Sequence, residues 1–462
     1  MTSAPLTPAT PFAVDIAGKI VSYQFRDLNR QAIDNAKTVI LDTLGCALAG
    51  AREPVVQTLL RTPGMNTRGD ISLWGNSQRL DALCAALING AAAHALDFDD
   101  VNIAIGGHPT APVLAALQAL AEEHPCDGKA FLLAFIVGFE TETRIARSVN
   151  FHHYDKGWHP TATMGVFGAA AACAKLLSLS VTQTATALAL CVSLASGVKA
   201  NFGTMTKPYH VGHAARHGLL AARLAQQGFT ANLEAFEHKQ GFFNVYNGPG
   251  HFHPERALQD WASPWDIVEP GIGIKLYPCC DSTHASIDAL LMLMRENDFS
   301  AQDIRRMKTS IHPLRLTHVD RPTLRNALDA KFSVQYCLAR AALDKAITFR
   351  SFLPESYEDP AALTLMQNVE TAPHPDLSLT TDGNYLTALT VELSDGRTFT
   401  VQKDRPFGRT AQEPAPPELI LSKFANCAAS VLPAERVTAL HDAIMQVEAC
   451  ANMHTIAQYW TP

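Results

Sequence analysis

The sequence predicts a mainly α protein: a large all-helical domain, with a smaller α+β domain inserted before the C-terminal helices. Three observations carry this. Apolar residues recur at three- and four-residue spacing through roughly the first 260 positions, as in helices with a buried face. After Trp265 apolar and polar residues begin to alternate, the period of half-buried strands. Helical spacing returns beyond a proline-rich stretch, Arg405–Pro417. The all-helical domain is accordingly placed at 1–267 and 408–462, and the α+β domain at 268–407.

In Leu28–Gly50 the apolar positions Ile33, Ala36, Ile40, Leu44 and Leu48 share one face, and Gly50 is a C-terminal stop. Asp81–Leu96, Ala111–Glu123, Lys129–Arg147, Thr161–Leu179, Thr182–Ser196 and Pro208–Gln227 follow as helices. Several are Ala-rich on more than one side, as suits helices buried in a bundle. In the second domain Met307–Ile311 and Leu386–Leu393 read as strands, with Leu389, Val391 and Leu393 on one face. Asp395-Gly396 signals a hairpin turn before Phe399 and Val401. Ser282–Glu296 and Phe332–Asp344 are helical patterns between strands, and four prolines make Arg405–Pro417 read as a linker. Glu418–Leu432 and Ala434–Met453 return to helical spacing and are assigned to the first domain.

With 462 residues, 47% hydrophobic and 18% charged, the chain can bury a large core and is not a disordered one. Its length allows about two to four domains. A net charge of −7 offers no footprint for nucleic acid or an anionic membrane. An anionic substrate must therefore be gathered by local cations. The start, MTSAPLTPATPF, lacks a basic segment followed by an apolar one, and the apolar runs Ala130–Phe139 and Gly165–Ala174 are too short to span a bilayer. The expectation is a soluble, cytoplasmic protein. Ten cysteines without a CxxC pair read mostly as core thiols in a reducing compartment. A dinucleotide-binding glycine fingerprint, a P-loop and a nucleophile elbow are all missing.

Four polar constellations remain. The first runs from His94 through Asp97, Asp99 and Asp100 to Gly106-Gly107-His108-Pro109-Thr110. Carboxylates at the end of an apolar helix oppose its dipole, which suggests a purpose beyond helix stability. For Asp99 and Asp100 the sequence favours the plainer reading, solvated capping residues. The second is Trp158-His159-Pro160-Thr161, where His159 stands beside the free amides of a helix start, an arrangement suited to a carboxylate. A hydrogen-bonded surface histidine is the alternative. In the third, Lys207-Pro208-Tyr209-His210 leads to His213 and His217, three histidines at helical spacing. They would suit a metal, yet no HExxH glutamate accompanies them, and Gly212, Ala214 and Ala215 read as close-packing positions. The fourth, Lys275-Leu276-Tyr277-Pro278-Cys279-Cys280-Asp281 with Thr283 and His284, offers a thiolate, a phenol and an imidazole for proton transfer, or simply a Pro-kinked strand end.

Together with Ala330–Tyr336, these motifs occur in an order and spacing that resemble the MmgE/PrpD family, which contains 2-methylcitrate dehydratase, cis-aconitate decarboxylase and iminodisuccinate epimerase. The resemblance runs from about Phe12 to the C-terminal helices. It implies a homodimer whose site lies in the cleft between a helical and an α+β domain, acting on small di- or tricarboxylates without metal or organic cofactor. Carried over by motif, the catalytic residues are Asp97, His108, His159, Lys207 and Cys280, with Tyr209, His210 and His284 as substrate-binding residues.

The shared reactions build negative charge on a carbon beside a carboxylate. Without a metal or a pyridoxal sink, cationic side chains must stabilise that charge. Lys207 and His159 are assigned this role and substrate-carboxylate binding, with Asp97 and His108 as acid or base. Those histidines and Lys207 would form a positive pocket whose binding weakens as pH rises. The sequence departs from the decarboxylase pattern at Val101 and Cys280 and lacks the tyrosine expected near Leu316–Val319, where Thr317 and His318 stand. The junction loop also differs from that of the dehydratases. A thiol opposite Asp97 or His159 favours epimerisation of an iminodisuccinate-like substrate, with dehydration of a 2-methylcitrate-like hydroxy acid as the alternative and cis-aconitate-type decarboxylation behind both. A non-catalytic carboxylate-binding protein and a zinc enzyme built on His210, His213 and His217 are the readings from other classes.

Overall fold

The computed structural model describes residues 10–378 and 385–462. Residues 1–9 of the start read above lie outside them. The chain is mainly α, with a smaller α+β region, and divides into two compact units. The large unit comprises the chain up to Ala95, Asp99–Gly273 and Leu421–Pro462; the small one comprises Leu96–Phe98 and Ile274–Ile420.

The large unit is built on α1 (Arg30–Gly50), α2 (Ala82–His94), α3 (Thr110–Glu123), α4 (Gly128–Arg147), α5 (Gly165–Leu176), α6 (Val181–Leu194) and α7 (Thr206–Gln226). Local chemistry starts several of them. Asn29 accepts from the Ala32 amide, Asp81 from Leu83 and Cys84, and Ser180 and Gln183 form a capping box at α6. Small residues then let the helices approach to backbone contact. A Cβ added at Gly212 of α7 would lie 2.1 Å from the Leu87 carbonyl oxygen of α2, and one at Gly90 of α2 would lie 2.9 Å from the Gly212 Cα. This crossing fixes the end of α2 relative to the start of α7, the two places that carry the polar residues described below. The C-terminal segment returns to the same unit: Lys423 Nζ reaches Asp42 Oδ1 of α1 at 2.6 Å, and the Trp460 indole donates to Ser72 Oγ at 2.8 Å.

The small unit holds a four-stranded sheet. Two further strands belong to the large unit, so the sheet's members are β3 (Ile304–Ile311), β4 (Val369–Pro373), β5 (Thr387–Leu393) and β6 (Thr398–Lys403), in spatial order β4-β3-β5-β6. β3 pairs parallel with β4 and antiparallel with β5, while β5 and β6 form the hairpin that Asp395-Gly396 signals. Alternation along β5 buries Leu389, Val391 and Leu393, which join a core with Ile287 and Leu290 of α8 (His284–Asn297) and Tyr336 and Cys337 of α9 (Val334–Asp344).

Several elements differ from the sequence pattern. The hairpin β1 (Arg68–Leu73) and β2 (Asn76–Leu80) lies within the region read as helical; it is short, and its buried residues cluster at the end of β1 instead of alternating. The helix expected at Thr161–Leu179 is divided into Pro160–Thr163 and α5, with Met164 between them. Arg405–Pro417 is not a loose linker. Pro406 and Ala415 are buried, and the Gly408 carbonyl accepts from Ile274 N at 2.7 Å, which ties the segment into the small unit. The pattern expected over Ala434–Met453 ends as a helix at Met445 and continues as 3-10 turns. Among the described residues no helix is long and apolar enough to cross a membrane.

Gly212→Ala should destabilise the protein by about 1–3 kcal/mol, because the methyl group meets backbone and not a movable side chain. Chemical denaturation measures this, and an unchanged midpoint would refute the crossing.

Candidate active site

In the large unit the end of α2, the loop after it, the turn before Pro160 and the start of α7 bring their polar residues together. The loop is held by its own backbone and side chains: Asn102 N donates to the Gly107 carbonyl at 3.1 Å, and Asn102 Oδ1 accepts from Ala104 N at 2.8 Å. Gly107 is required where it stands, since a Cβ there would lie 2.8 Å from Thr161 Oγ1. That hydroxyl also accepts from His108 N at 3.0 Å, which joins the loop to the segment carrying His159.

Asp99 and Asp100 are fully buried, not solvated caps. Asp99 takes the His94 Nδ1 at 2.9 Å from both of its carboxylate oxygens, and the His108 Nδ1 lies 3.3 Å from Oδ1. Burial opposes its ionisation, but His108 and His94 outweigh that and hold the carboxyl well below its usual range. Asp100 has only the Thr110 hydroxyl, donating at 2.8 Å, and its Oδ1 is buried without a partner. Burial, reinforced by Asp99 and Asp42, pushes its carboxyl up to about 8. Neighbouring acids are thereby divided into one ionised and one neutral group.

His159 is buried, with its Nδ1 3.3 Å from the His210 Nδ1 and its ring edge-on to Phe202. Its side chain does not cap the helix that begins at Pro160. Lys207 Nζ stands 5.1 Å from the centroid of the same Phe202 ring. Burial and the Lys207 charge hold His159 and His210 neutral; for His94 burial and Lys207 prevail over Asp99, bringing it down to about 4. The pocket of protonated histidines expected from the sequence is corrected accordingly: in the free protein these imidazoles are neutral, because they are buried beside a cation. His108, His159, Lys207 and His210 are thus assembled, with His94 and Asp99 added. Tyr209 instead faces His213, and His213 and His217 contact each other with ring centroids 3.9 Å apart. The three spaced histidines of α7 are therefore not one set. His94, Asp99 and His108 offer atoms within 4.8 Å of one another, close enough to surround a cation, but their distances describe ring N–H groups donating to a carboxylate.

The small unit contributes its own group. Asp97, with φ 53° in the left-handed region that Asp tolerates, places its carboxylate 3.4 Å from Lys275 Nζ, which also donates to the Asp97 carbonyl. Burial opposes the charge on Lys275, yet Asp97 and Asp281 raise its pKa. Cys280 is partly buried, and its thiol is pushed up to about 11 by loss of water around it, with Lys275 opposing. It is a thiol at neutral pH and not the thiolate that the sequence offered for proton transfer. The Tyr277 hydroxyl donates to Asp288 at 2.6 Å, which removes it from proton transfer, and the His284 Nε2 faces the Cys279 carbonyl at 3.3 Å. Three residues here carried no role in the sequence reading: Arg409, whose Nη2 is 3.5 Å from Asp281, Arg315 and Tyr385, the last lying under both guanidinium groups. Their separation along the chain left no local motif; Lys275 was visible as the first residue of its own.

Asp100 keeps its proton to about pH 8 in the folded chain and loses it near pH 4 when unfolded, so stability falls between these values by about 1.4 kcal/mol per pH unit. Asp100→Asn removes this dependence and should gain on the wild type as pH rises from 5 to 8, read by denaturant midpoints. A constant difference would show that Asp100 is ionised.

The MmgE/PrpD N-terminal domain matches residues 14–255 and the MmgE/PrpD C-terminal domain matches residues 277–448. The chain is 31% identical to the cis-aconitate decarboxylase of Mus musculus, covering 94% of this chain and 90% of that protein. It is 32% identical to that of Homo sapiens, over 95% and 91%. To the 2-methylcitrate dehydratase of Escherichia coli (strain K12) it is 24% identical, over 84% and 83%. With its motifs, its two matched domains and full-length relatives in agreement, the chain belongs to the MmgE/PrpD family of enzymes.

Proposed function

We propose that this enzyme is a cofactor-independent lyase of small tricarboxylates that decarboxylates a cis-aconitate-like triacid. The carrying observation is the buried cluster of the large unit, in which Lys207 is surrounded by neutral imidazoles and one ionised carboxylate. A substrate carboxylate would be drawn to the Lys207 charge and would favour the protonated forms of these imidazoles. When the C–C bond to the leaving carboxylate breaks, its electron pair stays on carbon as CO₂ departs. Lys207 and His159 stabilise that charge through the adjacent carboxylate, and the carbon then takes one proton. For this last step a group must be protonated before the reaction, and the neutral thiol of Cys280 meets that requirement in place of an imidazole. Asp97, His108, Tyr209, His210 and His284 keep the roles implied by the resemblance, although the surroundings of Tyr209 and His284 favour support over contact with substrate.

The relatives named above are lyases and none is an epimerase, so the preference for an iminodisuccinate-like substrate, which rested on the Cys280 loop, gives way. Dehydration of a 2-methylcitrate-like hydroxy acid is the second reading, supported by the more distant dehydratases and by the departure from the decarboxylase pattern at Val101. We take the working form to be a cytoplasmic homodimer.

Incubation of the purified protein with cis-aconitate in deuterated water should release CO₂ and place one deuterium in the diacid formed. An unsaturated acid from 2-methylcitrate, without CO₂, would favour the second reading, and turnover of neither would overturn both. Lys207→Ala should lower kcat by at least about 10²-fold while the circular dichroism and thermal midpoint stay unchanged.

An anion beside buried neutral histidines favours their charged forms, so binding should take up protons near pH 7 and weaken as pH rises. Calorimetry of triacid binding in two buffers of different ionisation heat measures that uptake. Proton release would contradict it.

A further inference from the structure

We propose that Asp99 is a positioning residue that fixes two imidazoles at once, holding His94 and His108 as Nδ1–H tautomers so that each presents the lone pair of its Nε2 as a base. The geometry leaves each ring one choice. The His94 Nδ1 is 2.9 Å from both oxygens of Asp99, and the His108 Nδ1 is 3.3 Å from Oδ1 and 3.2 Å from the Asp99 carbonyl oxygen. Carboxylate and carbonyl oxygens only accept, so both Nδ1 atoms must carry hydrogen. A neutral imidazole has a single N–H, which leaves Nε2 as the acceptor in each ring.

Two further observations support this assignment. The His94 Nε2 is buried without a hydrogen-bond partner, as expected of a lone pair kept for a proton and not of a structural N–H. Among the described residues no backbone N–H donates to the Asp99 carboxylate, so it does not serve as a helix cap or loop clamp. With its ring 4.6 Å from that of His108 and 5.7 Å from that of His159, His94 stands within the cluster and not behind it. His94 thereby joins His108 as a candidate proton acceptor, and Asp99, adjacent to the neutral Asp100, acquires a task distinct from burial.

The hydrogen on each Nδ1 stands on geometry and the uncharged form of the rings on their burial, whereas the catalytic consequence rests on the proposed lyase reading. Asn at position 99 offers one acceptor oxygen and an NH₂ group that can only donate, so it supports one ring and turns the other to the Nε2–H form. A wrong tautomer disables a base even when its position is kept.

The test is two-bond ¹H–¹⁵N correlation spectroscopy of protein selectively labelled at histidine, with His94→Gln and His108→Gln to assign the signals. In the wild type near pH 7 both rings should show the Nδ1–H pattern, and in Asp99→Asn at least one should change to Nε2–H. An Nε2–H pattern for either ring in the wild type overturns the proposal, with no variant needed. For turnover of the triacid, Asp99→Asn should lower kcat by about 10²-fold or more with KM within a few-fold, and Asp99→Glu should restore part of it. An Asp99→Asn enzyme with wild-type kcat and an altered tautomer would overturn the base role. A wild type with the expected tautomers but no turnover of any triacid would defeat the lyase reading and leave the assignment of Asp99 intact.

Discussion

Sealing an ionised carboxylate from water is costly unless hydrogen bonds replace those that water supplied, and in the large unit Asp99 obtains them from His94 and His108. The rest of the cluster follows from this arrangement. One negative charge is already matched, so the adjacent Asp100 has no donor but Thr110 and remains neutral. Beside the Lys207 charge and out of water, His159 and His210 stay unprotonated. The unit therefore holds neutral imidazoles beside one cation and one ionised carboxylate.

Burial on that scale requires tightly packed helices, and the glycines provide it. The α2–α7 crossing at Gly90 and Gly212 brings backbone against backbone, and Gly107 lets the loop lie on Thr161. Close packing excludes water, which strengthens both the Asp99 hydrogen bonds and the depression of the histidine pKa values. The small unit applies the same rule to the opposite charge. Lys275 is a buried cation kept charged by Asp97 and Asp281, while nearby Cys280, with no comparable stabilisation, remains a thiol. The loop that read as a set of proton-transfer groups thus holds its thiol in the protonated form.

Legibility in the sequence followed the range of the interactions. The helices of the large unit and the β5–β6 hairpin were visible because three- and four-residue periodicity, capping side chains and an Asp-Gly turn act locally. The hairpin at Arg68–Leu80 was missed because its short strands do not alternate. Arg405–Pro417 read as a linker because its prolines are local, whereas its tie to Ile274 crosses more than a hundred residues of chain. Among the expected site residues, His108, His159 and Lys207 stood out in the motifs as polar groups on apolar supports, but the burial of Asp99 and the parting of His210 from His213 and His217 depend on what packs around them.

What the sequence determined by itself was the helical pattern, the inserted α+β segment and, through five motifs in order, the family. Each is encoded in residue types at short spacing. Tertiary structure alone decided which of these groups carry charge. A histidine or an aspartate has the same letter whether exposed or buried, but its protonation depends on the water removed and on the donors brought to it from distant parts of the chain. For that reason the Asp99 that read as a solvated cap is instead the ionised centre of the cluster, and the Cys280 that read as a thiolate holds its proton.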